Sequence, residues 1–211
     1  VVELCQKRLP DNMGIPADQI QVLSPTRKGV CGTVNLNRAL QAALNPPAAG
    51  KRQKLWGDTV FREGDRVMQT RNNYDVVWEK DDGVMGAGIF NGDVGVIQEI
   101  DPSGELITIR FDDRTCVYTA DLLNQLDMAY AMTVHKAQGS EYRCVVLVSA
   151  AVAPALMVRG VLYTAITRAR ELLVLVGDDV APGQMAANDR QQRRYSGLRR
   201  RLREEAMSHG L

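Results

Sequence analysis

Two short polar stretches carry the side chains of this sequence that are best suited to chemistry. The first is MTVHKAQGSE at residues 132–141, and the second is YTAITRARE at residues 163–171. Each is followed by an apolar, β-branched run, CVVLVSA at 144–150 and LLVLVG at 172–177. Such runs are typical of buried strands. The polar residues therefore stand at the ends of predicted strands, where open α/β sheets place ligand sites.

The residue types in these stretches suit contacts with phosphate groups. Thr133 and His135 can hydrogen-bond a phosphate or a sugar whatever the base. Lys136 is either a phosphate contact or a solvated surface residue, and the sequence leaves both open. The guanidinium of Arg168 has a permanent charge and several fixed donors that match phosphoryl oxygens. The alternative for Arg168 is a surface pair with Glu171 along a helix, worth roughly 0.2–0.5 kcal/mol.

A third polar segment, VLSPTRKG at residues 22–29, follows a short apolar strand and precedes a predicted helix. Its hydroxyl groups, its cations and a backbone amide at the helix start form a suitable grip for phosphate. Many strand–helix turns share this composition, so the pattern alone is weak. The side chains concerned are those of Thr26, Arg27 and Lys28.

The elements that must position these residues change in type twice along the chain. Residues 1–9 predict a helix that is ended by Pro10-Asp11-Asn12 and Gly14, and residues 33–44 predict a helix with one apolar face. From residue 59 to 118, short strands alternate with Asn, Asp and Gly turns, which favours a small antiparallel barrel. Within it, the polar, Gly-rich stretch 75–88 predicts a flexible loop.

After residue 121 the α/β pattern returns, so the sequence predicts an α/β domain interrupted by a barrel. Residues 158–169 predict a helix, and the Arg-rich tail from residue 188 predicts a second, basic helix. Three aromatic residues in or beside the barrel could stack on bases, although we expect at least two of them to pack in the core or a loop. They are Trp56, Tyr74 and Trp78.

Charge is distributed unevenly although the net charge is only +1. Residues 58–120 contain 6 Lys and Arg against 13 Asp and Glu, whereas the remainder contains 20 against 12. A phosphate backbone would therefore be attracted to the outer part of the chain. The 4 cysteines lack metal-ligand spacing and His135 and His209 lack ligand-spaced partners, so we expect no metal site. The same cysteine pattern and the lack of a long apolar run favour a cytoplasmic protein without a membrane partner.

Together the three polar segments resemble motifs of RecD-like superfamily 1 DNA helicases, the family of the exodeoxyribonuclease V α subunit. The resemblance covers nearly the whole chain and is strongest over residues 127–178. It implies a RecA-like second motor domain, a parallel sheet with flanking helices, into which a small antiparallel SH3-like β-barrel is inserted. The implied division is 1–57 for the first part of the motor domain, 58–122 for the barrel, and 123–211 for the second part with the basic C-terminal helix.

The resemblance also implies an ATP-dependent motor that moves 5′ to 3′ along DNA. It assigns the arginine finger to Arg168 and the nucleotide side to Gly139, Glu141 and Gln138, with Gln138 coupling the two sites. Contacts to single-stranded DNA would come from Thr133, His135, Lys136, Thr26, Arg27, Lys28 and, in VMQTRNNYD at 67–75, Asn72. ATP and Mg²⁺ would act in the full-length protein, whose implied partners are single-stranded DNA, its own N-terminal motor domain and the subunits of a nuclease–helicase complex.

Some family features have no counterpart in this sequence. It contains no G-x-x-x-x-G-K-[ST] loop for nucleotide phosphates, and only Arg8, in an unsuitable context, could stand for the fourth-motif arginine. Asp178 and Asp179 follow an apolar strand as Mg²⁺ ligands often do, but their position after the finger motif indicates turn formers. We expect a C-terminal region of a longer motor. The alternatives are a relaxase- or Pif-type relative and a non-catalytic nucleic-acid-binding module.

The first prediction follows from the missing phosphate loop. The purified 211-residue chain should hydrolyse no ATP, with or without single-stranded DNA, because no backbone loop here can hold the nucleotide phosphates. A coupled ATPase assay measures this, with Arg168→Ala as the control for contaminating enzymes. Sustained DNA-stimulated turnover that Arg168→Ala abolishes would contradict the interpretation as half a motor.

Overall fold

The computed structural model describes residues 1–150 and 152–190 together with positions 197, 201 and 205. Its first unit is a four-stranded parallel sheet in the order β11-β1-β12-β13. In register, Ser24 lies beside Thr133, and Ile20 lies beside Cys144. These four strands are β1 (Ile20–Ser24), β11 (Ala131–Thr133), β12 (Tyr142–Val148) and β13 (Ala169–Val176).

Helices cover both faces of this sheet. Alternate strand residues point to opposite faces, so the apolar runs supply two cores at once. On one face Val22 and Val146 pack with helices α1 (Leu9–Met13) and α2 (Thr33–Leu44). On the other face Leu23 and Leu147 pack with α3 (Arg159–Ile166) and α4 (Val180–Ala187). None of the helices in the described ranges is both long and apolar enough to cross a membrane.

The first helix is longer than the sequence predicts. A π-helical turn, Leu4–Arg8, runs directly into α1, which continues through Pro10 to Met13 and is capped by Gly14 with φ of 61°. Pro10 stands in the first turn of α1, where proline is tolerated. The predicted basic C-terminal helix lies almost entirely outside the described residues. Beyond residue 190, the structure describes only positions 197, 201 and 205.

The second unit is an antiparallel sheet of seven strands in the order β10-β4-β7-β8-β9-β5-β6. Its apolar core is built around Phe111 and Tyr118, both fully buried. A two-stranded hairpin, β2 (Gln53–Trp56) and β3 (Thr59–Arg62), precedes it. The α/β fold with an inserted antiparallel unit is therefore confirmed. The seven strands are β4 (Arg66–Gln69), β5 (Asn73–Lys80), β6 (Met85–Ile89), β7 (Val94–Ile100), β8 (Leu106–Phe111), β9 (Arg114–Thr119) and β10 (Leu126–Met128).

The prediction of a flexible loop over residues 75–88 was wrong. These residues form most of the β5–β6 hairpin, in which Trp78 pairs with Gly86. A side chain at Gly86 would lie 2.3 Å from the Trp78 ring, so this glycine makes room for an aromatic ring rather than for motion. The boundaries at 58 and 122 stay a prediction, because strand pairing runs past both: β2 pairs with β3, and β10 pairs with β4.

A buried polar junction joins the two units. The Asp65 carboxylate, fully buried at the entrance to β4, accepts four hydrogen bonds. Gln41 Nε2 and the Arg62 backbone N–H donate to Oδ2 at 2.6 and 2.7 Å. Asn45 Nδ2 and Tyr130 Oη donate to Oδ1 at 2.7 and 2.9 Å. Burial raises the pKa of Asp65, while these donors oppose the shift.

The neighbouring Arg66 continues the junction into the parallel sheet. Its guanidinium donates to the Ile20 carbonyl and to Gln21 Oε1, both at 3.1 Å. Gln21 is itself fully buried and donates to the carbonyls of Ala129 and Tyr130. Two consecutive residues of the barrel therefore satisfy buried polar groups from helix α2, from β1 and from the segment before β11.

The second prediction concerns this junction. Asp65→Asn should lower the free energy of unfolding by about 2–4 kcal/mol, because an amide group turns a donor toward donors and leaves buried groups unpaired. Thermal or denaturant unfolding measures the change. Asp58→Asn, at the exposed turn between β2 and β3, is the matched control and should stay within about 0.5 kcal/mol of wild type. Equal stability of the two variants would contradict the role given to Asp65.

Candidate nucleic-acid interface

The VLSPTRKG segment leaves the carboxyl end of β1 and folds back over the start of α2. Ser24 Oγ donates to the Cys31 carbonyl at 2.8 Å and accepts the Thr26 backbone N–H at 3.2 Å. Ser24 and Cys31, at the two ends of the loop, are thereby tied together. The loop is thus held in a compact form before any ligand binds.

The amides at the start of α2 are already occupied. The Thr33 N–H donates to the Thr26 carbonyl at 3.1 Å, and the Val34 N–H donates to the Arg27 carbonyl at 3.2 Å. A Cβ at Gly32 would lie 2.5 Å from the Arg27 carbonyl oxygen, so only glycine permits this close return. The expectation of a helix-start amide for phosphate is wrong for these two groups. Among the side chains of this segment, those of Arg27 and Lys28 are exposed.

The MTVHKAQGSE stretch begins at the same edge of the sheet. Thr133 ends β11 beside Ser24, and its carbonyl accepts the N–H groups of Lys136 and Ala137 at 3.0 and 3.1 Å. This turn leaves the His135 side chain exposed. Lys136 is half-buried, and its Nζ donates to Asp127 Oδ2 at 2.8 Å. The purely solvated alternative for Lys136 is therefore wrong.

Two clefts that share Lys136 run along the junction between the parallel sheet and the barrel. The smaller, about 140 Å³, is lined by Arg27, Thr133 and Lys136 together with Asp127 from β10. The larger, about 480 Å³, is lined by His135, Lys136 and Gln138 on one side. Its other side is the barrel turn that contains Asn91, Gly92 and Asp93.

Asn72 joins the larger cleft through this turn. Its Oδ1 accepts the Asn91 backbone N–H at 3.0 Å, and its Nδ2 lies 3.4 Å from the Tyr74 hydroxyl. Tyr74, 67% exposed, packs edge-to-face against Phe90, with 5.7 Å between ring centroids. The structure therefore brings Arg27, Thr133, His135, Lys136 and Asn72 to the two clefts, with Thr26 and Lys28 in the adjoining VLSPTRKG segment. We call the two clefts and this segment the seam. The sequence indicated neither Phe90 nor the Asn91–Asp93 turn as part of it, although an Asn-Gly-Asp turn is a recognisable exposed feature.

Arg168 lies at the opposite end of the parallel sheet. It precedes β13, as Glu141 precedes β12, so both stand at amino ends of strands rather than at the carboxyl ends where the general rule for open sheets places ligands. Asp178, by contrast, follows β13 at the carboxyl end, and its Oδ1 accepts the Val180 N–H at 2.9 Å as α4 begins.

The Arg168 guanidinium is held by three oxygen atoms. Nε donates to the Thr164 carbonyl at 3.1 Å, Nη1 to the Ser140 carbonyl at 2.9 Å and Nη2 to Thr167 Oγ1 at 3.1 Å. The alternative pairing with Glu171 is not observed, because the Glu171 carboxylate accepts from Arg143 Nε at 2.8 Å. Arg168 thus connects the MTVHKAQGSE and YTAITRARE stretches.

The residues predicted for the nucleotide side are the chain neighbours of Ser140, whose carbonyl binds this arginine. Glu141 Oε2 accepts from Arg170 Nε at 2.9 Å, and both side chains are exposed. Gly139 has φ of 94°, a conformation that other residues rarely adopt. Gln138 is exposed and lines the larger cleft with His135. The binding roles of all these residues stay predictions.

Of the three aromatic candidates, Trp78 packs against the barrel core, while Trp56 is 37% exposed. The guanidinium of Arg114 and the ammonium of Lys80 each lie 6.0 Å from the Trp78 ring centroid. Trp78 is therefore a structural residue of the barrel. Tyr74 is the aromatic side chain available beside the clefts.

Comparisons with known proteins identify the family to which this α/β unit, its barrel and its polar loops belong. A model of the SH3 domain of ATP-dependent RecD-like DNA helicases matches residues 36–111. A model of the UvrD-like helicase C-terminal domain matches residues 128–176. The chain belongs to the RecD-like superfamily 1 DNA helicases and corresponds to their C-terminal region. The predicted RecA-like and SH3-like character of its two units is thereby confirmed.

Individual relatives show the extent of the likeness. The chain is 36% identical over 184 residues to the ATP-dependent RecD2 DNA helicase of Deinococcus radiodurans, covering 87% of this chain and 23% of that protein. It is 31% identical to the RecBCD enzyme subunit RecD of Mycolicibacterium smegmatis, covering 88% and 30%. The chain therefore spans less than a third of the length of these relatives.

Solved structures agree on the fold. A Bacteroides Pif1 helicase in complex with ADP-AlF3 and single-stranded DNA aligns with a TM-score of 0.51 at 16% identity, covering 99% of this chain and 49% of that one. The Pif1 helicase of Candida albicans aligns with a TM-score of 0.50 at 14% identity, covering 97% and 53%. At these identities the likeness concerns the fold alone.

The third prediction tests the seam as a DNA-binding surface. The chain should bind single strands weakly and without regard to sequence, because the cations at the seam recognise phosphate. Lys28→Ala should weaken binding and reduce the log–log salt slope by about 0.7, the value for one phosphate contact on a single strand. Fluorescence anisotropy over a salt series measures both quantities.

Lys7→Ala is the matched control for this experiment. Lys7 is also exposed, but it lies on the first helix, where its neighbour Gln6 bonds Ala43 at the far end of α2 from the VLSPTRKG loop. Its replacement should leave the salt slope unchanged. If Lys7→Ala and Lys28→Ala reduce the slope equally, the binding is diffuse and not located at the seam.

Proposed function

We propose that this chain is the C-terminal motor region of an ATP-dependent DNA helicase that moves 5′ to 3′ along single-stranded DNA. Its family membership supports a helicase, since relatives of this region are named as DNA helicases and as helicase–nuclease subunits. The observation that carries the proposal is the fixed position of the Arg168 guanidinium between the two polar stretches.

Arg168 has the properties that an arginine finger requires. A guanidinium has five N–H donors. Of these, three are occupied by oxygens of Ser140, Thr164 and Thr167 in the described part of the chain, which leaves two for a ligand. The occupied donors hold the group in place, so little side-chain entropy is lost when the remaining two meet phosphoryl oxygens. Its permanent charge would offset the negative charge that develops on the transferring phosphoryl group.

ATP and Mg²⁺ would be held mainly by the N-terminal motor domain of the same protein, with this region closing over them. The residues at the amino edge fit such a ligand, because the two unoccupied N–H groups of Arg168 offer cationic donors to phosphate oxygens. Gly139 has no side chain to obstruct approach, and Glu141 can accept hydrogen bonds from ribose hydroxyls. Nuclease–helicase subunits are a further class of partner in this proposal.

The DNA-binding part of the cycle would use the seam. Thr133, His135 and the VLSPTRKG side chains would hold the backbone in one nucleotide state and release it in the other. The segment between Thr133 and Glu141 supplies the mechanical connection. It starts at the carboxyl edge of the sheet, where DNA would bind, and ends at the amino edge, where the Ser140 carbonyl accepts from Arg168. A shift of Arg168 toward a nucleotide would therefore act directly on this segment.

The fourth prediction concerns Arg168 in the full-length helicase. Arg168→Ala should lower kcat for ATP hydrolysis by about 10³–10⁵, because a finger acts on charge that develops in the transition state. Nucleotide affinity should change by less than about tenfold and DNA affinity should be nearly normal, because ground-state contacts are largely retained. Single-turnover ATPase and unwinding assays measure the effect.

Two further variants make this test specific. Arg168→Lys should not restore activity, because an ammonium keeps the charge but loses the planar fork that binds Ser140 and Thr164. Arg170→Ala should be mild, because Arg170 forms only an exposed pair with Glu141. If Arg170→Ala is inactive while Arg168→Ala keeps more than about a tenth of the wild-type rate, the finger is Arg170.

A further inference from the structure

One carboxylate at the seam is shared by cations from two separate segments. Asp127 lies on β10, at the edge of the barrel sheet where it pairs with Met68 of β4. Its Oδ1 is 3.6 Å from Arg27 Nη2, in the VLSPTRKG loop. Its Oδ2 is 2.8 Å from Lys136 Nζ, in the MTVHKAQGSE stretch. The carboxylate therefore spans the two segments that the proposed function assigns to the DNA backbone.

The contacts of Asp127 indicate no structural role for its carboxylate. The Asp127 side chain is 36% exposed and those of Arg27 and Lys136 are 64% and 33% exposed, so neither ion pair is needed to satisfy a buried charge. Partly exposed pairs of this kind contribute little to stability. Asp65, in contrast, lies in the buried polar junction, where its carboxylate is fully buried and hydrogen-bonded. Asp127 instead lines the cleft of about 140 Å³ together with both cations.

We propose that Asp127 is an internal competitor for the DNA phosphate, a negative charge that occupies the cations until a backbone phosphate displaces it. A carboxylate and a phosphate diester each present two anionic oxygens to the same donors. With Asp127 in place, the two cations and the one anion carry a combined charge of one unit rather than two. Each phosphate that enters must release Asp127, so binding is weakened and release is favoured.

This inference rests on the proposed function, since it specifies how the DNA-binding site of that motor is regulated. A translocating motor must release every phosphate that it binds. Two neighbouring cations without a competing anion would slow this release. The competitor also belongs to the barrel strand, whereas the cations belong to the α/β unit. A small relative motion of the two units would therefore change the charge offered to DNA.

The test is binding of the 211-residue chain to a labelled oligothymidylate, measured by fluorescence anisotropy at low salt. Asp127→Asn keeps the shape of the side chain and removes its charge. It should tighten binding on the order of threefold to tenfold, as expected when two partly exposed ion pairs no longer compete. An abasic oligomer of equal length should show the same gain, because the group that displaces Asp127 is a backbone phosphate.

Glu105→Gln is the matched control for loss of one negative charge. Glu105 is also partly exposed and paired with a single cation, Lys54, but it lies next to the β7–β8 turn, at the opposite end of β7 from the seam. It should change the affinity by less than about twofold. In an Arg27→Ala/Lys136→Ala background, Asp127→Asn should have no larger effect than Glu105→Gln, since there is no longer a cation to release.

The outcomes separate this inference from the function on which it rests. If wild type binds DNA but Asp127→Asn and Glu105→Gln have the same affinity, Asp127 is not a competitor. The proposal that DNA binds at the seam is unaffected by that result. If the gain persists without Arg27 and Lys136, the effect is general repulsion and the inference fails. If wild type does not bind single strands at low salt, both the seam and the competitor are overturned. Thermal unfolding verifies that each variant is folded, and Asp127→Ser replaces Asp127→Asn if it is not.

Discussion

The buried contacts of Asp65 and Arg66 constrain the rest of the molecule. Asp65 takes donors from helix α2 and from Tyr130, while Arg66 donates to the Ile20 carbonyl and to Gln21. If the barrel shifted on the parallel sheet while the junction stayed closed, these groups would lose their partners in a place that water does not reach. These polar contacts therefore set the orientation of the barrel on the sheet, because hydrogen bonds are directional. An apolar contact alone would not fix one orientation.

Both clefts exist because of that orientation. Each has one wall from the α/β unit and one from the barrel, so neither unit contains a complete cleft. The charged residues of the walls differ in sign, because Asp93 and Asp127 lie on the barrel side and Arg27 and Lys136 lie on the α/β side. An acidic wall opposite a basic one favours binding that is weak and easily reversed, which suits a motor more than a permanent grip.

The two ends of the parallel sheet carry different chemistry, and one segment joins them. Thr133 stands at the carboxyl end of the sheet and Arg168 at the amino end. The length of a short strand, which rises about 3.3 Å per residue, separates them. The segment after Thr133 crosses this distance and ends against Arg168 through the Ser140 carbonyl. Coupling between a nucleotide and a DNA strand in the proposed motor would need no longer path than this.

The sequence by itself determined the elements and the residue types at the site. Apolar runs and turn residues identified the parallel strands, the antiparallel insertion and the polar stretches beside Arg168 and Thr133, because periodicity and turn chemistry are local properties. Only the tertiary structure decided which groups are free to bind. It turned residues 75–88 into a hairpin against Trp78, occupied the amides at the start of α2, and placed Asp127 between Arg27 and Lys136. These outcomes depend on contacts between residues far apart in the chain, and such contacts are set by the packing of the barrel against the sheet, which no local pattern of residues encodes.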